Sequence, residues 1–108
     1  MPDSLPFRVM LRMETVPGLG AEFEKVWEEV GRGIAGQPGN LAQSLARSAD
    51  ETDVYYVVTD WTDAASFHRF EHSEEHVLNR RRLQPYRRGG EMRLTETVCL
   101  LRGVAAEG

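Results

Sequence analysis

The first patterned stretch of the chain, F-R-V-M-L-R-M-E-T-V, alternates strictly. Phe7, Val9, Leu11 and Met13 fall on one side, with Arg8, Arg12 and Glu14 on the other. A period of two is that of a half-buried strand. Met10 breaks the polar side, so that face is not expected to be fully solvated. Pro17-Gly18-Leu19-Gly20 then makes a turn. From about 21 to 35 the period lengthens, and Phe23, Val26, Trp27, Val30 and Ile34 recur at steps of three and four, the stripe of an amphipathic helix. Glu22 and Glu24 near its start suit the positive end of the helix dipole. Gly36-Gln37-Pro38-Gly39-Asn40 ends it.

L-A-Q-S-L-A-R-S-A is short and lies between two turns, Gly39-Asn40 and Asp50-Glu51-Thr52-Asp53. That setting predicts a strand in a hairpin with 54–61. The partner, V-Y-Y-V-V-T-D-W, has the β-branched and aromatic composition of a mostly buried strand. Past Trp61 the period becomes helical, with Ala65, Phe67 and Phe70 on one side. Asp63 has the character of an N-cap. Ser73, followed by Glu74 and Glu75, is a second one, so the helical region is expected to break at His72-Ser73. The second piece carries Val77, Leu78 and Leu83 until Pro85 stops it, and Gly89-Gly90 reads as a hinge. In E-M-R-L-T-E-T-V-C-L-L-R, Met92, Leu94, Val98 and Leu100 alternate with Arg93, Thr95, Thr97 and Cys99, predicting a final strand. Residues 2–6 read as a loose lead-in and 103–108 as a short frayed tail.

The order β-α-β-β-α-β is that of the split βαβ, an α+β, ferredoxin-like fold. It has a four-stranded antiparallel sheet with two helices on one face. No internal repeat is visible, and the expectation is a single domain over 1–108 with its core at about 7–102. Helices cover one face of such a sheet only. Along the third strand Val54, Tyr56 and Val58 alternate with Tyr55, Val57, Thr59 and Trp61, so neither face is polar. Large apolar patches seldom stay exposed, and a homodimer packed through the open sheet face is therefore expected.

Composition narrows the choice of function. The chain has 108 residues, 41% of them apolar, and a net charge of -4 from 17 acidic and 13 basic side chains. That balance gives no general electrostatic case for nucleic acid. Arg80, Arg81, Arg82, Arg87 and Arg88 cluster all the same. Their plain role is a solvated helix end that complements the dipole. Their functional role is a rim that steers anions, such as a phenolate or the phosphopantetheine of a carrier protein. Cys99 is the only cysteine, which rules out an intrachain disulfide and suits a reducing cytoplasm. The opening M-P-D-S-L-P-F-R has no signal-peptide character, and no run nears the roughly 18 apolar residues of a membrane span. A cytoplasmic protein without membrane contact is expected.

His68, His72 and His76 are spaced by four, as a chelating helix would have them. No H-E-x-x-H motif accompanies them and Ser73 interrupts their helix, so no metal site is expected. His76 is the candidate general base, since imidazole titrates near neutrality.

Five segments together are similar to antibiotic biosynthesis monooxygenase (ABM) domains. They are R-V-M-L-R-M-E-T-V-P-G, F-x-x-x-W on the first helix, P-G-N-L, Y-Y-V-V-x-D-W-x-D, and S-F-x-x-F-x-x-S-x-x-H. The chain most resembles the small ABM-type proteins of actinomycete aromatic polyketide and spore-pigment clusters, over about 7–102. The resemblance implies the same ferredoxin-like fold, paired into a dimeric α+β barrel. It also implies cofactor-independent monooxygenation of a polycyclic phenol or anthrone, with molecular oxygen as co-substrate. Such chemistry needs an apolar pocket, a base for the phenol and donors that steady the anion.

On this basis Trp61, His76 and Arg81 are the expected catalytic residues. Tyr55, Val57, Phe67, Phe70 and His72 are expected to bind a small aromatic polyketide, free or held by a carrier protein. Quinone-forming members carry an asparagine four residues before the tryptophan and a tyrosine six after it. This chain departs from them with Val57 and Phe67. Haem-degrading members use an asparagine on the first strand and a histidine on the second helix. Here the strand has no asparagine and Arg80 falls at the ligand position, which argues against haem. Two other functions suit the same fold: a non-oxidising, chaperone-like polyketide-binding module, and a small cyclase using a histidine and the arginines.

Overall fold

The computed structural model describes residues 5–105; the start of the expected lead-in and residues 106–108 of the expected tail lie outside the described residues. Strand β1 (Phe7–Thr15) leads to helix α1 (Gly20–Ala35), strands β2 (Asn40–Arg47) and β3 (Val54–Trp61), and helices α2 (Ala64–Glu71) and α3 (Glu74–Leu83). A 3₁₀ turn over Gln84–Tyr86 delivers the chain to β4 (Arg87–Glu96). The sheet order is β2-β3-β1-β4 and every pairing is antiparallel. This is the expected ferredoxin-like sheet, with its helical layer in three pieces rather than two.

Alternation decides the layering. Val9 and Met13 of β1 and Tyr55, Val57, Thr59 and Trp61 of β3 are buried toward the helices. Phe23, Trp27, Val30 and Ile34 of α1 meet them, as the helical stripe requires. The second helical region breaks where two caps compete with continuation. Asp63 Oδ1 accepts from the Ser66 amide at 2.8 Å, and Ser73 Oγ accepts from the His76 amide at 3.2 Å. Ser73 Oγ also donates to the Phe70 carbonyl at 2.6 Å, which ties the end of α2 to the start of α3.

The outer face of the sheet is more polar than the β3 pattern suggested. Arg8 grips Asp60 with two bonds of 2.8 and 3.0 Å, and Arg12 reaches Glu14 and Glu51. These pairs flank a small apolar centre in which Met10 is 43% and Tyr56 38% exposed.

The last strand corrects the sequence expectation at both ends. Gly89 and Gly90 are not a hinge: they pair with Glu14 and Met13 inside β4, next to a bulge at Glu14/Thr15. The ladder stops at Glu96 opposite Phe7, because β1, the neighbour of β4 in the sheet, ends there. Val98, Leu100 and Cys99 therefore lie beyond the strand and are exposed. Their alternation has no ladder to join.

Candidate functional site

Between the sheet and the helices lies a cavity of about 520 Å³. It exists because the helical layer does not close over β4. On the helix side of that strand Gly90 has no side chain, and Met92 and Leu94 remain 44% and 46% exposed. Val9, Leu11, Met13, Val57, Thr59 and Met92 form the sheet wall, and Trp27, Val30 and Ile34 come from α1. Helix α2 contributes Phe67, Phe70, Glu71 and His72 beside its C-terminus; α3 contributes His76, Asn79, Arg80 and Leu83. The size suits a drug-sized molecule, and a mostly apolar lining with a few polar groups is that of a small-molecule site.

The polar groups concentrate on one helix. His76, Asn79, Arg80 and Leu83 occupy positions i, i+3, i+4 and i+7 of α3 and share one face. The apolar residues expected to pack that helix, Val77 and Leu78, are instead 48% and 56% exposed. The inward face of α3 is polar because it meets a cavity and not a packed core. His76 lies edge-on to Phe70 with ring centroids 5.0 Å apart. Burial and then the Arg80 charge hold its imidazolium below the ordinary 6.5; Glu71 opposes them and His72 adds to them. That direction favours the neutral imidazole, the form that can accept a proton.

The candidate residues divide into three groups. Val57, Phe67, Phe70, His72 and His76 all line the cavity. The His72 Nδ1 also donates to the His68 carbonyl at 2.7 Å, capping α2. Trp61 and Tyr55 share the buried face of β3 with Val57 but are not among the residues that line the cavity. Trp61 has no exposed surface. Its indole stacks on Phe70 at 5.3 Å, meets Phe67 edge-on at 5.9 Å, and donates through Nε1 to Thr59 Oγ1 at 2.9 Å. It lies behind the wall that Phe67, Phe70 and Thr59 present.

Tyr55 is committed elsewhere. Its hydroxyl donates to Glu24 Oε2 at 2.6 Å, where Arg47 also bonds at 2.7 Å, so it joins β3 to α1 at the far end of the sheet. Burial and the Glu24 contact push its phenol up, and Tyr55 and Arg47 draw the Glu24 carboxyl down. Arg81 is exposed and outside the lining; its neighbour Arg80 takes the cavity position. Of the other clustered arginines, Arg87 lines the cavity and Arg82 pairs with Glu29 on α1.

Asn79, Thr59 and Glu71 were not among the candidates, and Arg87 was one only as a member of the arginine cluster. The helical spacing of His76, Asn79, Arg80 and Leu83 was the signal for Asn79. The last two needed the fold. The histidines do not converge: His68 pairs with Glu71 at 3.2 Å on the surface of α2, whereas His76 turns inward on α3. Among the described residues no group of three or more His, Cys, Asp or Glu side chains is placed to hold a metal ion. No helix among them is long and apolar enough to cross a membrane.

Known proteins match this architecture. SnoaB of Streptomyces nogalater, a cofactor-independent oxygenase, superposes with a TM-score of 0.82 at 24% identity, over 93% of this chain and all of that one. SchA of Streptomyces halstedii is 29% identical over 97 residues, covering 82% of this chain and 26% of that protein. The 42.8 kDa protein in the whiE locus of Streptomyces coelicolor is 27% identical over 75 residues, covering 69% of this chain and 19% of that protein. The chain thus spans about a quarter or less of the length of these two relatives. The sequence model of the antibiotic biosynthesis monooxygenase family matches residues 6–78, and the chain belongs to that family.

Proposed function

We propose that this protein is a cofactor-independent monooxygenase of aromatic polyketide biosynthesis that acts on a polycyclic phenol of the anthrone type. The carrying observation is the imidazole of His76 on the wall of a 520 Å³ cavity that is otherwise mostly carbon. The fold likeness to SnoaB and the relatives of Streptomyces support the same reading. His76 removes the acidic proton. The electron-rich anion passes an electron to O2 and recombines with the superoxide, forming a carbon–oxygen bond. Loss of water from the resulting hydroperoxide leaves a carbonyl. One methylene carbon and one O2 thus give one carbonyl and one water, and the substrate supplies all the electrons. The apolar walls keep bulk water from the anion. Arg80 and Arg87 favour its entry, with Arg81 on the outer rim. Trp61 acts behind the wall, fixing Phe67, Phe70 and Thr59.

A second reading, a binding module that shapes a polyketide without oxidising it, is favoured by the carbon-only side chains of Val57 and Phe67 facing the cavity. Oxygen uptake with a panel of anthrones separates the two. Wild type is expected to exceed the spontaneous rate, and His76→Ala to lose about 10²- to 10⁴-fold, the usual contribution of a general base. Uptake no faster than in buffer across the panel, with the compounds nevertheless bound, would replace the oxygenase with the binding module.

Pairing through the outer sheet face belongs to the same proposal. Met10, Tyr56 and Val58 form its centre, and the Arg8–Asp60 and Arg12–Glu51 pairs its flanks. Light scattering tests it, and a monomer at micromolar concentration would exclude it. A cytoplasmic setting accords with the single cysteine, Cys99.

A further inference from the structure

Asn79 is 8% exposed, and its side-chain Nδ2 has no hydrogen-bond partner among the described residues. A buried amide N–H left unpaired costs about 1–3 kcal/mol, and such groups are scarce in folded proteins. The backbone offers no relief, since the neighbouring carbonyls of α3 serve the helix ladder. Because Asn79 lines the cavity one turn beyond His76, the unpaired donor belongs to a surface that a ligand touches. An N–H donor asks for an acceptor oxygen. The positive charges of Arg80 and Arg87 line the same space, with Glu71 the only carboxylate among the lining residues. That surrounding favours an oxygen bearing negative charge.

We propose that Asn79 is the hydrogen-bond donor that holds the anionic oxygen of the cavity's ligand, making this site selective for the ionised form of a planar hydroxyarene. The inference rests on the reading of the cavity as a site for phenols, and it adds a division of labour along α3. His76 takes the proton, and Asn79, one turn further, binds the oxygen that loses it. The rival on the same helix is Glu75, whose Oε2 is also buried without a partner. Glu75 precedes Asn79 by one turn but lies against Gly33 of α1 and does not line the cavity.

The test uses a hydroxyanthraquinone, already oxidised and so unable to turn over, whose colour reports its ionisation. Its methyl ether is the neutral control. Wild type is expected to bind the hydroxy compound as its anion and more tightly than the ether. Asn79→Leu, close in shape, is expected to weaken the anion about 10- to 100-fold, the worth of a hydrogen bond to a charged group, and to leave the ether unchanged. Its melting temperature should hold or rise, because an unpaired buried amide is removed. Asn79→Asp should bind the neutral form in preference to the anion, and Glu75→Gln should bind both as wild type does. Equal losses for anion and ether in Asn79→Leu, or a loss in Glu75→Gln matching that in Asn79→Leu, would overturn the assignment. So would failure of wild type to bind the probe. Selective anion binding without oxygen uptake from anthrones would leave Asn79 in its role and remove only the oxygenase.

Discussion

Trp61→Phe separates contact from support at this site. The indole is fully buried, one layer behind the cavity wall. Phenylalanine keeps part of the stack on Phe70 but leaves a void where the larger ring system ended. It also removes the 2.9 Å bond from Nε1 to Thr59. A partly refilled core void of that kind costs roughly 1–2 kcal/mol. The lost hydrogen bond adds about 1 kcal/mol. The sum is about 2–3 kcal/mol, which for a domain near this size corresponds to a drop in melting temperature on the order of 10–20 °C. Thermal melts followed by circular dichroism measure that shift. Binding of the hydroxyanthraquinone, read well below both transitions, measures contact. The reasoning requires a large fall in stability with affinity nearly unchanged. A variant that melts with wild type yet loses the ligand would refute it, because the indole would then be touching what binds.

Three further outcomes follow from other parts of the molecule. Gly39 holds φ +83, and a Cβ there would run into Ser66 and crowd Thr62, so Gly39→Ala should lose about 3 kcal/mol in urea unfolding from left-handed strain and overpacking together. Near-wild-type stability would show that the α1–β2 turn can refold around a side chain. Tyr55→Phe removes the 2.6 Å bond to Glu24 and should cost about 1 kcal/mol while leaving ligand affinity intact; weaker binding would restore Tyr55 to the site. His76 has its folded pKa below 6.5, so below that value the unfolded chain binds more protons than the folded one. Its contribution to stability is thus full above pH 6.5 and is lost as pH falls from there toward the lower folded value. The acid limb of kcat/KM should likewise have its midpoint below 6.5, and a midpoint at or above that value would contradict the burial of His76.

Much of the fold was legible because periodicity and punctuation agreed. The alternation of β1 and β3, the stripe of α1 and the caps Asp63 and Ser73 each prescribe one local structure, and the fold makes them compatible. The end of β4 was not legible. Val98 and Leu100 continue an alternating pattern, but a strand needs a neighbour, and the length of β1 decides where that neighbour stops. The site was legible in part. Phe67, Phe70 and His76 stood out by type and place, whereas Arg80 and Arg81 differ only by the hundred degrees or so that one helical residue turns. Asn79 lacked the apolar character by which an inward helical face is usually recognised. Trp61 stood out for its size, and size alone does not distinguish a wall from what stands behind it.

The interruption at Ser73 has a consequence for how this site tolerates change. Helix α3 takes its rotational setting from the short link to α2, through the bonds of Ser73 to Phe70 and His76. One residue added or removed in that link would turn the whole helix by about 100°. A deletion would put Val77, Arg80, Arg81 and Gln84 where His76, Asn79, Arg80 and Leu83 stand, and an insertion would put Glu75, Leu78, Asn79 and Arg82 there. The site therefore has a reading frame. Single substitutions along α3 adjust which ligand is held, but a length change at the link removes the imidazole and exchanges its neighbours in a single event, so a proton-handling surface is lost without altering any residue on the helix.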